Sequence, residues 1–294
     1  MNFIKKLLGI KSEAKKKHYQ EKMDEMKLNL KNKVSVLTQP AVHLINTESK
    51  TNSKFGGKPI VDNKDFAWPL SNERPMSFLA QFDLSEIAQQ LKYDWLSDSG
   101  YLLFFYDIEE MPWGFDPKDK GKWKVIYQSA PSIEINYPEG LKVEFIIKEK
   151  HIKAHKIDIL PSFEDHSIQN LNLNDEEIDL YIEIDEHYRE FDSYGEFPAH
   201  QVGGFPRPVQ GDEMQFEAQL ASGGTYMGDS KAYQGAIAKD FESAKDKWKL
   251  LFQFDSDEDL GAMWGDLGTL YFWVDKEESK FNKFENAWLI LQCT

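Results

Sequence analysis

Three short blocks occur twice in this chain, in the same order, and that repetition limits the possible architectures more than any other feature. Ser53-Lys54-Phe55-Gly56-Gly57-Lys58-Pro59 is echoed by His200-Gln201-Val202-Gly203-Gly204-Phe205-Pro206, both reading Gly-Gly-x-Pro. Phe78-Leu79-Ala80-Gln81-Phe82-Asp83 is echoed by Leu250-Leu251-Phe252-Gln253-Phe254-Asp255, apolar runs that end in Gln-Phe-Asp. Gly100-Tyr101-Leu102-Leu103-Phe104-Phe105-Tyr106-Asp107 aligns with Gly268-Thr269-Leu270-Tyr271-Phe272-Trp273-Val274-Asp275, with Gly, Leu, Phe and Asp at the same spacing. Gly56 and Gln81 lie 25 residues apart and Gly203 and Gln253 lie 50 apart, so the second copy carries an insertion.

Each block is a physical device. Gly-Gly-x-Pro supplies positive φ or close backbone approach and then a fixed φ, as a tight turn at a strand boundary requires. The runs 78–82, 101–106, 248–254 and 270–274 are short, aromatic or leucine-rich and bounded by turn residues, the pattern of strands buried on both faces. Further strands are expected at 42–45, 123–127 and 141–147. Helices are expected at 84–91, after Asp83, and at 175–191, where Asn174 is the N-cap and acids fill the first turn. On that second helix Ile178, Tyr181, Ile182, Asp185, Tyr188 and Phe191 line one side. The class is α+β: internally duplicated, mainly antiparallel sheets with a few peripheral helices and a basic N-terminal helix. The expected organisation is a helical segment at 1–33 and a single body at 34–294. Within that body the first repeat spans about 34–148, an acidic connector about 149–199 and the second repeat about 200–294, with pairing across the halves.

Charge is distributed unevenly. The net charge is −15, which speaks against a nucleic-acid binder, because neutralising phosphates needs a basic face. Residues 1–33 nevertheless hold ten lysines against four acids, while 158–200 hold thirteen acids against the single base Arg189. Tyr19, Met23, Met26 and Leu30 form one helical stripe. Two readings follow for the basic helix: docking on its own acidic domain, or resting on an anionic membrane, with weak surface contact through residues 1–11. The acidic stretch is read as a surface for a basic partner, as a solvated face, or as the seat of the basic helix itself. The lone Cys293 excludes an intramolecular disulfide, and no signal peptide or membrane-length apolar run is evident, so the expected location is the cytoplasm.

The blocks 53–59, 78–84, 200–206 and 251–257, together with Phe66-Ala67-Trp68-Pro69, Met263-Trp264-Gly265-Asp266 and Gly268-Thr269-Leu270-Tyr271-Phe272, resemble the motifs of the YwqG-like family of bacterial proteins, over roughly residues 34–292. The resemblance implies an α+β fold with an internal duplication and supplies no activity. Members resemble accessory genes near secreted-toxin loci, which implies an immunity-type binding role. The lysine-rich residues 1–33 fall outside those motifs.

The most pointed chemistry is Asp255-Ser256-Asp257-Glu258-Asp259-Leu260-Gly261 followed by Asp266, acids at relative positions 1, 3, 5 and 12 of a calcium-type loop. Glycine stands at position 7 rather than 6, and Asp rather than the bidentate Glu stands at 12. Asp255, Asp257, Asp259 and Asp266 are therefore the metal candidates, for Ca²⁺ or Mg²⁺, and no other cofactor is expected. Gly223-Gly224-Thr225-Tyr226-Met227-Gly228-Asp229-Ser230 has P-loop spacing, but Asp229 takes the lysine position and would repel phosphate. His151 and His155 lack a nearby third ligand, and Cys293 lacks a neighbouring base. No catalytic residue is assigned. The leading expectation is a non-enzymatic binding protein that meets a protein partner, itself basic, through its acidic surface and through Gly56, Gly57, Gly203, Gly204 and Trp264. The alternative is metal-assisted hydrolysis at the 255–266 turn.

Overall fold

A computed structural model describes residues 13–189, 198–233 and 240–294. In chain order the elements are α1 (Glu13–Val34), β1 (Gln39–Thr47), β2 (Lys54–Phe55), β3 (Ile60–Val61), β4 (Leu70–Ser71), β5 (Arg74–Pro75), β6 (Ser77–Asp83), α2 (Leu84–Gln90), β7 (Tyr101–Tyr106), β8 (Trp123–Gln128) and β9 (Ile133–Glu134). There follow β10 (Lys150–Ile159), α3 (His166–Gln169), α4 (Asp175–Arg189), β11 (Gln201–Val202), α5 (Met214–Ser222), α6 (Asp240–Lys247), β12 (Trp248–Asp255), β13 (Thr269–Asp275), α7 (Lys276–Ser279) and β14 (Trp288–Gln292).

Ten strands make one antiparallel sheet in the order β14-β13-β12-β11-β1-β10-β2-β6-β7-β8, and β3–β9 and β4–β5 form two small ribbons. The long central pair β1–β10 runs from Gln39 opposite Ile159 to Thr47 opposite His151, with His43 facing His155 at its middle. The two flanks have matching register. Phe78 pairs with Phe105 and Ala80 with Phe104, leaving Leu79 as an extra residue; Leu250 pairs with Trp273 and Phe252 with Phe272, leaving Leu251 extra. A bulge of this kind sharpens local twist and helps a sheet to curl. Both flanks then end with an aspartate opposite the first residue of the next strand, Asp83 with Tyr101 and Asp255 with Thr269.

The curl brings the flanks face to face. Phe82 lies 4.8 Å from Phe252, Phe104 lies 5.3 Å from Phe272, and Phe55 stacks on Phe254 at 5.2 Å. At the sheet's ends Trp123 and Trp288 meet edge to face at 5.1 Å, and the Trp123 indole donates to the Ala287 carbonyl, so the sheet is nearly closed. The runs read as buried on both faces are so because Leu102 and Phe104 enter this main core while Leu103 and Phe105 enter a second cluster with Val61, Met76 and Phe78. Expectation and observation agree on α2, whose N-cap Asp83 accepts from the Ser85 amide, and on β8.

Other expectations need correction. Residues 141–147 are a loop with a short 3₁₀ turn (Val143–Phe145), not a strand: Val143 is 81% exposed, and only Ile147 reaches the core. The strand is β10, inside the stretch expected as an acidic connector; its lysine- and histidine-rich run hides the alternation, and it buries only Ile152 and Ile159 fully. On α4 the inward side chains are Leu180, Tyr181 and Ile184, and Ile182 faces outward at 40% exposure, while Phe191 lies outside the described residues. Asn174 and Glu177 form a reciprocal capping box, each side chain accepting from the other's amide. No helix among the described residues is long and apolar enough to cross a membrane.

Candidate functional site

A buried polar cluster lies at one rim of the sheet, where the end of β1, the start of β11 and the end of β12 converge. His200, 1% exposed, sits between the rings of Phe55 and Phe254 at 4.7 and 4.9 Å. Its Nδ1 accepts from the Asp255 amide at 3.2 Å. That acceptance assigns the proton to Nε2, which faces Asp257 Oδ2 at 3.3 Å. Asp257 also accepts from Asn46 Nδ2 at 3.2 Å and from the Asp259 and Leu260 amides at 2.8 and 3.3 Å. Burial alone would push the Asp257 carboxyl up, but the bonds from His200, the Leu260 amide and Asn46 outweigh it and hold the group below the usual carboxylate range. Asp255 accepts from Thr269 Oγ1 at 2.8 Å and from the Ala199 amide at 2.7 Å. The cluster ties together three segments distant in sequence, and both aspartates are spent on internal partners.

Behind it, on β1, is His43, 8% exposed. Burial first, then the nearby His200, lowers its pKa from 6.5 to about 4, with Asp255 and the Pro198 backbone opposing and His155 adding to the depression. Because the folded value lies below the unfolded one, the unfolded chain takes up a proton first. Stability is then constant above about pH 6.5 and declines toward pH 4, by up to about 3 kcal/mol. Urea midpoints at pH 7 and pH 4.5 check this: His43→Gln should lose much less on acidification than the wild type, and an identical loss would contradict it.

The repeated blocks have a structural use. Gly56 and Gly57 adopt φ of +52° and +68°, and Gly203 and Gly204 both adopt +69°. A Cβ at Gly56 would strike the Ile147 carbonyl, and one at Gly203 the Tyr93 hydroxyl. Past each glycine pair the chain is held by the glutamine of Gln-Phe-Asp: Gln81 Oε1 accepts from the Ile60 amide at 2.9 Å, and Gln253 Oε1 from the Arg207 amide at 2.8 Å. Before each pair, Lys54 Nζ donates to the Lys58 carbonyl at 2.7 Å and Gln201 Nε2 to the Phe205 carbonyl at 2.8 Å. The Asp83 amide donates to Ser53 Oγ at 2.9 Å, in the place where the Asp255 amide meets His200.

These placements revise the expected site. Gly56 and Gly203 are buried, and Trp264 is fully buried against Phe254 at 5.3 Å, so none of the three offers a surface to a partner. Asp255 and Asp257 are brought together at the rim, whereas Asp259 and Asp266 are exposed and do not join them; Asp266 contributes its carbonyl to Thr294. Among the described residues no three His, Cys, Asp or Glu side chains are placed to hold a metal ion. His151 and His155 lie on β10, with His151 Nδ1 accepting from the Thr51 amide. An open depression of about 340 Å³ lies elsewhere, lined by Lys92, Tyr93, Asp98 and Lys280, but its lysines pair with Asp98 and Glu277, each at 2.8 Å. His200, His43 and Asn46 were not singled out in the sequence. The one signal for His200 is that it occupies the Ser53 position of the repeated block.

The second charged feature is a helical appendage outside the sheet. Leu30 and Val34 of α1 pack with Leu160, Ile168, Leu180, Tyr181 and Ile184, flanked by half-buried Met23 and Met26. Lys27 pairs with Glu183, and Lys31 lies 5.8 Å from the Tyr188 ring centre. Of the readings for the basic helix, residues 13–34 follow the docked one; residues 1–11 lie outside the described residues. The opposite side of α4 exposes Asp175, Asp179 and Glu186 around Ile182, with Glu176 at its edge.

No curated protein matches this chain. The model of one family, described as a domain of unknown function (DUF1963), matches residues 53–293, which takes in both sets of repeated blocks, His200, Asp255 and Asp257 of the rim and α4, and leaves α1 and β1, with Asn46, outside. With more than three quarters of its length inside that match, the chain belongs to the DUF1963 family.

Proposed function

We propose that this chain is a non-enzymatic binding protein of the immunity type implied by its YwqG-like motifs, and that it recognises a basic protein partner through the outward face of α4. The observation that carries this reading is the stripe Asp175, Asp179 and Glu186 with Glu176 beside it, exposed on one helix face around the apolar Ile182. Carboxylates around an apolar centre steer a basic surface into register and give it something to bury. The rim carboxylates favour no catalytic alternative, since His200 and Asp257 are bonded to each other and closed to solvent. Capture from native lysate at about 0.15 M and about 1 M salt tests the reading. A partner should be retained by the wild type at low salt alone and lost by the Glu176→Lys/Asp179→Lys/Glu186→Lys chain. Retention indifferent to salt and to these changes would overturn it.

We further infer that the body is an internal duplication whose first strands are exchanged. Its support is the shared bulge, the matched Gln81 and Gln253 bonds, and the matched Ser53 and His200 contacts. On this reading β1 opens the first copy yet pairs with β11 of the second, while β10 opens the second copy and pairs with β2 of the first. The second repeat then begins at β10, not at residue 200, and neither half is a domain by itself.

A further inference from the structure

We propose that residues 1–17, the lysine-rich run that leads into α1, tether the chain to an anionic lipid surface, and that α1 joins this tether to the body. The inference goes beyond the partner reading and uses none of the α4 carboxylates. Three observations carry it. First, the sequence sets the two chemistries of an anionic interface side by side. Phe3, Ile4, Leu7 and Leu8 recur at i, i+1, i+4 and i+5, the spacing of one helical side, and Lys5 and Lys6 fall between them. Second, positive charge is concentrated here: residues 1–17 hold six lysines against the one acid Glu13, in a chain whose net charge is −15. Third, the start of α1 is not spent on the body. Residues 16–22 are exposed except for the half-buried Tyr19, and Met23 is the first residue of α1 to reach the small core. Of Lys16, Lys17, Lys22 and Lys27, only Lys27 pairs with a body carboxylate among the described residues, and Lys17 meets Glu21 of its own helix at 3.9 Å. Further along, Leu30 and Val34 are buried, so what holds the start of α1 holds the body with it. The stripe and the lysines have separate tasks. The chain's excess of acids opposes its approach to anionic lipid, so the local lysines steer the tether there, and Phe3, Ile4, Leu7 and Leu8 supply apolar area to bury among the acyl chains. A nucleic acid would use the lysines and leave that area in water.

Sedimentation of the full chain with vesicles tests this, using phosphatidylcholine alone and a mixture with about one-third phosphatidylserine. The wild type should partition onto the mixed vesicles about ten-fold or more above the neutral ones, and the excess should shrink as salt rises to about 0.5 M. Lys5→Gln/Lys6→Gln should weaken that partitioning by about thirty-fold, each lysine at such a surface contributing about five-fold. Leu7→Ser/Leu8→Ser should weaken it at least as much, by removing apolar area. Both changes fall ahead of α1, so the melting temperature should match the wild type and a loss of binding is not a loss of fold. Equal partitioning onto neutral and mixed vesicles, or variants that partition like the wild type, overturns the proposal. So does a mobility shift with duplex DNA that survives Leu7→Ser/Leu8→Ser, which would assign the lysines to nucleic acid. These variants leave the α4 face unchanged, so a failed tether and a failed partner reading are told apart.

Discussion

Phe252→Ala is expected to cost about 4 kcal/mol, since truncating a buried phenylalanine removes about 3–5 kcal/mol of transfer and packing free energy. Phe252 is fully buried, and its ring lies within 4.8–6.3 Å of the rings of Phe55, Phe82, Phe104, Phe254 and Phe272. Those partners come from both flanks of the sheet, so the cavity would open where the flanks face each other and could not close by moving one strand. Urea unfolding should give the loss as a lower midpoint with an unchanged slope. A cost below about 1 kcal/mol would mean that the flanks are not packed as described.

Gly56→Ala is expected to be nearly as damaging, at about 3–4 kcal/mol. The left-handed φ of +52° costs an alanine roughly 1–2 kcal/mol, and the added methyl meets the Ile147 carbonyl, a backbone atom that cannot swing aside. Gly203→Ala separates these causes. Its φ of +69° brings the same conformational cost, but its methyl meets the Tyr93 ring and hydroxyl, a side chain that can shift at the cost of its bond to the Val202 carbonyl without moving backbone. The expected order is therefore Gly56→Ala worse than Gly203→Ala by about 1–2 kcal/mol. Equal losses at the two sites would show that backbone strain alone governs both turns.

What was legible in the sequence was the part with strong local signals. The continuous apolar runs at 101–106 and 270–274 read as strands because both of their faces meet apolar clusters. Asp83 and Asn174 read as caps because a short side-chain acceptor before an acidic first turn has few other local uses. The stretch 150–159 did not read as a strand, because lysines and histidines occupy most of it and its burial comes from pairing along its whole length with β1. The glycine pairs were legible as turns, but sequence reports that a backbone must bend, not whether the bend faces solvent: Gly56 and Gly203 are buried while Gly57 and Gly204 are half-buried. Asp255 and Asp257 looked like ligands for a related reason. Their spacing is that of a cation loop, while the partners they meet here, His200 and Asn46 at Asp257 and Thr269 and the Ala199 amide at Asp255, come from segments far off in sequence. The pairing of the basic and acidic helices was legible as complementary charge, whereas the separate small core beneath them depends on Leu160 and Ile168, residues far from both stripes until the chain folds.

The central claim is a division of labour: the rim carboxylates hold the sheet together, and the α4 carboxylates meet the partner. Thermal melting and partner retention, measured side by side on two variants, test it most directly. Asp257→Asn should melt about 5 °C lower, as expected for a damaged buried hydrogen-bond node in a chain of this size, and retain the partner like the wild type at low temperature. Glu176→Lys/Asp179→Lys/Glu186→Lys should melt like the wild type and retain none. If Asp257→Asn instead keeps its melting temperature and loses the partner, the rim is the recognition site and the account is wrong.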